Sequence, residues 1–186
     1  SLHDALPIYT PDTEAALFGQ DGAAEGLRAG QLVVDMSSIS PTATTEFAAR
    51  INALGCLYLD APVSGGVAGA ENAKLTIMVG GPQEAFDRAK PLFELMGGTV
   101  TLIGTRNGDG QVCKACNQII VGVTVQAVAE ALVLATKAGA DPAIVRQALM
   151  GGAAGSVILE NHGARMIEGN FEPGFRAELQ QKDLNV

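Results

Sequence analysis

Lys114 and Asn117 stand three residues apart in a stretch, Val112 to Ala138, whose apolar residues recur with a helical period. At that spacing two side chains share a helix face. Most such pairs are a solvated face, but here the flanking residues are Ala and Cys and the rest of the stretch is apolar, so the lysine is expected to be partly desolvated. Burial and the positive end of the helix dipole both disfavour an ammonium, which lowers its pKa toward neutrality and suits it to proton transfer. When a carbonyl is reduced by hydride, its oxygen gains negative charge. An ammonium can stabilise that charge and then deliver its proton, while Asn117 orients a substrate hydroxyl or carboxylate.

Two loops offer further chemistry. Asp60-Ala-Pro62-Val63-Ser64-Gly65-Gly66 follows a strand-like run, and a serine followed by two glycines lets backbone N–H groups converge on an anion. A plain tight turn is the alternative reading of Ser64, Gly65 and Gly66. In Asp35-Met-Ser37-Ser38-Ile-Ser-Pro41 the serines either cap the next helix or touch a cofactor, and from this stretch alone the cap is the better reading.

Two motifs are rejected. Gly108-Asp-Gly110-Gln-Val-Cys113 opens a helix after a strand, as a pyrophosphate-binding glycine loop does, but its third position is Cys and no second strand follows to complete a βαβ unit. Cys113-Lys-Ala-Cys116 has redox or zinc spacing, yet only Cys56 remains as a further thiol and neither His3 nor His162 has ligand spacing. No metal site is expected, and the two cysteines read as small apolar core residues.

Elements that position these residues follow from periodicity. Strand-like runs at Leu32 to Met36, Cys56 to Leu59, Leu75 to Val79 and Val100 to Ile103 alternate with helical ones at Thr42 to Leu54 and Gln83 to Met96. Pro41 suits the first turn of its helix and Gly55 its stop. Beyond Gly110 only helical periods remain: Val112 to Ala138, Pro142 to Met150, Ser156 to Met166 and Arg176 to Leu184. The expected fold is α/β followed by an all-α domain, residues 1–108 and 109–186, with the glycine-rich Gly104 to Gly110 as boundary. Ile119 to Leu134 is the one candidate membrane segment, but Gly122, Thr124, Gln126 and Glu130 interrupt it, and it reads as a helix enclosed by others in a core or an oligomer interface.

Composition agrees. The chain has 186 residues, 47% of them hydrophobic, and a net charge of −8 without a basic run, which argues against a nucleic-acid partner. Three cysteines and no charged, apolar leader suit a reducing cytoplasm. Ser1 to Ile8 show neither period and read as a frayed edge or a non-native leader. The C-terminus stops inside a helical pattern, so the chain reads as a piece cut at both ends.

In order, DMSSISP, DAPVSGG, LTIMVGG, GDGQVCKACNQ, AEALVLATKAGADP and GNFEPGFRAELQQKDL resemble the β-hydroxyacid dehydrogenases over about Pro11 to Val186. The resemblance implies the C-terminal part of a Rossmann-type dinucleotide-binding domain, then an all-α domain with a long central helix, and a homo-oligomer. It implies Lys114 as the catalytic acid/base, Asn117 with Ser64, Gly65 and Gly66 on substrate, and Ser38 and Lys182 on NAD or NADP. AEALVLATKAG, GGAAGS and FEPGFR are similar to the branch that reduces tartronate semialdehyde rather than the one that acts on 3-hydroxyisobutyrate. A non-catalytic helical dimerisation module, with Lys114 an ordinary boundary lysine, is the rival from another class; a strand and GxGxxG upstream would exclude it. That motif is not among these residues, so the 186 residues alone are expected to bind NADH weakly or not at all. Saturable micromolar binding by calorimetry would contradict this.

Overall fold

A computed structural model describes residues 9–172, 174 and 176–185; the first eight residues, read above as an edge or a leader, lie outside these. The chain divides into two compact units, residues 1–116 with 181–186, and residues 117–180.

The first unit begins with helices α1 (Thr10–Phe18) and α2 (Ala23–Gly26), which the apolar pattern does not announce. Strand β1 (Leu32–Asp35) leads into α3 (Pro41–Ala53), where the Ser40 hydroxyl accepts the Ala43 N–H and Pro41 fills the first turn. The chain leaves α3 through Gly55 at φ +74°, whose N–H bonds the Asn52 carbonyl. Thirteen helical residues are enough for a crossover, so β2 (Leu57–Asp60) pairs parallel with β1, Leu32 against Leu57 through Asp35 against Asp60. The segment beyond β2, expected as a loop, makes the two-residue strand β3 (Val63–Ser64) and the short helix α4 (Gly66–Glu71). So short a return cannot make a parallel crossover, and β3 runs antiparallel to β4 (Leu75–Gly80), as does the end of β2 at Asp60–Gly80. Helix α5 (Gln83–Met96) is a full crossover and sets β5 (Gly97–Gly104) parallel on the other edge of β4.

Side chains alternate across this mixed sheet, so neighbouring residues of β2 enter different cores. Tyr58 packs with Leu17, Phe47 and Ile51, under α1 and α3. Leu59 packs with Ile77, Val79, Ala85 and Phe93, under α5.

Helix α6 (Asp109–Lys137) starts where β2 and β4 end. Its first N–H groups have no acceptor within a helix. The fully buried Asp60 carboxylate supplies one: Oδ1 accepts the Gly108 N–H at 2.8 Å and Oδ2 the Gln111 N–H at 3.1 Å. The backbone comes very close. A Cβ at Gly110 would lie 2.4 Å from the Met78 carbonyl oxygen and 2.8 Å from Asp60 Oδ2. The compact division falls at residue 116, two turns into α6 and beyond the glycine cluster that the sequence offers as boundary.

The second unit holds the rest of α6 with α7 (Pro142–Met150), capped by Asp141 on the Ala143 N–H, and α8 (Val157–Glu168), capped by Ser156 on the Leu159 N–H. Helix α9 (Ala177–Leu184) begins here and ends in the first unit. Val128, Leu132 and Leu159 form the small core of the second unit. The expectation that α6 is enclosed does not hold within this chain: Ile120 is 66% and Leu134 70% exposed, with Ile119, Val123 and Val133 also open. Two short helices cannot wrap a helix that is apolar on nearly every face. By length and composition α6 is the one helix among the described residues that could cross a membrane; its polar interruptions are set against that role.

Gly110→Ala should destabilise the chain by about 2–3 kcal/mol, because neither the Met78 carbonyl nor Asp60 can retreat. Asp60→Asn puts an NH2 group against helix N–H donors and should cost about 1–3 kcal/mol. Urea unfolding midpoints measure both, and unchanged midpoints would show that α6 is seated elsewhere.

Candidate active site

Asp35 and Asp60 lie side by side at the C-terminal ends of two parallel strands, and both are buried. Each carboxylate has a defined task. Asp35 accepts the Tyr58 hydroxyl at 2.8 Å and the Ser37 N–H at 2.9 Å, which turns the chain into the Ser37–Ile39 loop. Burial, then the Asp35 charge, push the Tyr58 pKa far above its ordinary value, so the phenol stays protonated and donates. Burial also raises the Asp60 pKa, opposed by the N–H groups of Gly108, Gln111 and Gly110. That network explains why the Gly108–Cys113 glycine loop is no phosphate site: its N–H groups already serve an internal carboxylate.

Lys114 is half-buried in the second turn of α6. Burial pulls its pKa below the ordinary lysine value, nearby Lys182 adds to this, and the Asp183 carboxylate works against it. Those two partners come from the last turn of α9. Lys182 Nζ lies 2.8 Å from Asp183 Oδ1 and donates to the Ser38 carbonyl oxygen at 2.6 Å. Ser38 and Lys182, paired above only through a family resemblance, are therefore in direct contact.

Ser64 pairs with Thr76 in the sheet and is half-buried; Gly65 and Gly66 are exposed and turn the chain at φ +132° and +60°. Side chains rarely adopt either backbone conformation. Ser64 lies four residues beyond Asp60, about 13 Å along a strand. Lys114 lies four residues beyond Gly110, about 6 Å along a helix. From the Asp60–Gly80 row, where α6 is anchored, the Ser64 segment continues in the sheet along β4, whereas the Lys114 segment leaves it. Asn117, one turn beyond Lys114 on α6, donates its amide to Gln118 Oε1 at 2.7 Å. Gln118 is buried and exchanges hydrogen bonds with Gln180.

Of the serines in the loop after β1, Ser40 caps α3, and the Ser38 carbonyl accepts from Lys182. The reading of Cys113 and Cys116 as core residues is corrected, since Cys113 is half-buried and Cys116 exposed on the open side of α6. Burial raises the Cys113 pKa, which keeps the thiol protonated. Among the described residues no group of three His, Cys, Asp or Glu side chains could hold a metal. Asp60, Gln111 and Asp183 escaped the sequence reading. For Asp60 and Gln111 the only signal was a polar residue inside an otherwise apolar or glycine-rich run, and Asp183, in the polar run Gln180 to Asn185, carried none.

Comparison with known proteins supplies the family. The NAD-binding domain of 6-phosphogluconate dehydrogenase matches residues 8–104, and the NAD-binding domain of NADP-dependent 3-hydroxyisobutyrate dehydrogenase matches residues 108–186, a match that takes in α6. The 2-hydroxy-3-oxopropionate reductase of Escherichia coli strain K12 is 58% identical over 98% of this chain and 63% of its own length. A 3-hydroxyisobutyrate dehydrogenase structure from Salmonella typhimurium aligns with a TM-score of 0.84 at 32% identity, over 96% of this chain and 62% of that one. The Mycobacterium tuberculosis 3-hydroxyisobutyrate dehydrogenase with L-serine aligns with a TM-score of 0.83 at 34% identity and the same coverage. The chain thus spans somewhat less than two thirds of the length of these relatives. With a mixed sheet feeding a long helix and a half-buried lysine in that helix's second turn, it belongs to the β-hydroxyacid dehydrogenase family.

Proposed function

We propose that the whole protein is an NAD(P)-dependent reductase that interconverts tartronate semialdehyde (2-hydroxy-3-oxopropionate) and D-glycerate, with Lys114 as its acid/base. The observation that carries this reading is the half-buried Lys114, its pKa lowered by burial, grouped with Lys182 and Asp183 at the C-terminal end of the sheet. The likeness to the Escherichia coli reductase supports the choice of substrate. Relatives named for 3-hydroxyisobutyrate support the sister reading, which differs in substrate alone.

Residues present fit a dinucleotide. Open α/β sheets bind ligands beyond the C-terminal ends of their strands, and here that edge carries the Ser38 loop with a lysine seated on it. Ser38 and Lys182 would hold the nicotinamide end of NAD or NADP, which supplies the hydride when bound. Lys114 carries a proton on Nζ and passes it to the aldehyde oxygen as that oxygen becomes negative, leaving an alcohol and a neutral amine. In the reverse direction the neutral amine takes the alcohol proton. Ser64, Gly65, Gly66 and Asn117 hold the substrate in this scheme, and the setting is a cytoplasmic homo-oligomer.

In the whole protein Lys114→Ala should lower kcat by about 10²–10⁴-fold with dinucleotide binding retained. Because reduction needs the ammonium, its rate should fall as pH rises through the lowered Lys114 titration point, while alcohol oxidation rises over the same range. Steady-state kinetics over pH and dinucleotide titrations measure all three, and retained turnover in Lys114→Ala removes the mechanism.

A further inference from the structure

Gln111 is a polar side chain in a place where an apolar one would pack. It is 2% exposed, and none of the chemistry above uses it. Its amide engages two backbone groups of one loop: Oε1 accepts the Ile39 N–H at 3.2 Å, and Nε2 donates to the Ser37 carbonyl oxygen at 2.8 Å. A primary amide is suited to this, since it offers one acceptor and one donor side by side to a backbone N–H and C=O two residues apart. The same residue's own N–H ends on Asp60 Oδ2.

We propose that Gln111 is a positioning residue that clamps the Ser37–Ile39 loop to the first turn of α6 and so sets where Ser38 stands relative to Lys114. The argument is one of connectivity. Lys114 is three residues from Gln111 and shares its face of the helix. The loop touches α6 through Gln111 at Ser37 and Ile39, and it touches the Lys182–Asp183 pair at Ser38. Ile39 is itself buried in the core beneath α3, so the clamp fixes α6 to a part of the loop that cannot drift. Without the amide, the buried Ile39 N–H and the half-buried Ser37 C=O lose these partners, and the loop must shift to recover others. The role rests on the reading of Lys114 as the acid/base; the clamp itself does not.

The test compares Gln111→Leu, which removes both bonds, with Gln111→Glu. Ionised Glu keeps only acceptors and faces the Ser37 carbonyl, whereas protonated Glu restores one donor and one acceptor. Amide hydrogen exchange in the whole protein should show Ile39 and the Gly108–Gln111 turn losing about tenfold or more of their protection together in Gln111→Leu, with β4 and β5 unchanged. In the whole protein, kcat of Gln111→Leu at saturating substrates should fall about tenfold or more, beyond any change in the folded fraction measured by urea unfolding. The kcat of Gln111→Glu relative to the parent should recover as pH falls. Asp35, Asp60, Lys114, Lys182 and Asp183 are the charged groups around the loop; an ionised Glu at 111 acts on Asp60 and Lys114 as well, so the recovery counts for the clamp only where Ile39 protection in Gln111→Glu returns over the same pH range. Unchanged protection of the α6 turn overturns the clamp. Wild-type kcat in Gln111→Leu, or losses that only follow the folded fraction, overturn the positioning role. If the parent protein reduces no semialdehyde, the acid/base reading fails, and the exchange experiment still decides the clamp.

Discussion

The whole first unit is organised around one carboxylate that has no access to water. Asp60 ends β2, and its two oxygens take the N–H groups that open α6. Burying a carboxylate is costly unless its oxygens are satisfied, and a helix start is costly unless its N–H groups are. Each deficit answers the other, aided by the positive end of the helix dipole. Because Gly80 and Gly110 bring the two backbones nearly into contact, the helix has little room to slide. Where Lys114 and Gln111 stand follows from that seat.

A second consequence is electrostatic. Around the Ser38 carbonyl and the second turn of α6, two lysines face one aspartate, leaving one positive charge in excess. Burial and Lys182 lower the Lys114 pKa, and the Asp183 carboxylate opposes them. A lowered pKa is the direction in which the proton donor proposed above must be tuned. This charge group is assembled from residues 38, 114 and 182–183, so no single segment of chain carries it.

Helix α6 shows the opposite kind of economy. Its first turns are pinned by Asp60 and Gln111, whereas farther along Ile119, Ile120, Val123, Val133 and Leu134 remain open within this chain. The second unit has only α7, α8 and part of α9 to set against it, and its buried core is correspondingly small.

What the sequence determined by itself was local. Periods of two and of three to four residues located β1, β2, β4, β5 and the helices α3 and α5 to α9, because hydrophobic spacing reports directly which face an element buries. Pro41 and Gly55 bounded α3 through fixed and permitted backbone angles, and Lys114 stood out as a charge in an apolar run. Helix α1 and the β3–α4 segment were not legible, since their few residues carry no sustained period and β3 exists only by pairing with β4. Tertiary structure alone decided that Asp60 caps a helix 48 residues away, that Gln111 reaches back 72 residues to Ile39, and that Lys182 meets Ser38 across 144. Those contacts satisfy buried polar groups, and a polar residue in sequence does not reveal which distant partner will satisfy it. The same limit explains α6: an all-round apolar helix announces that it needs cover, while the number of neighbours that supply it is settled only when the chain packs.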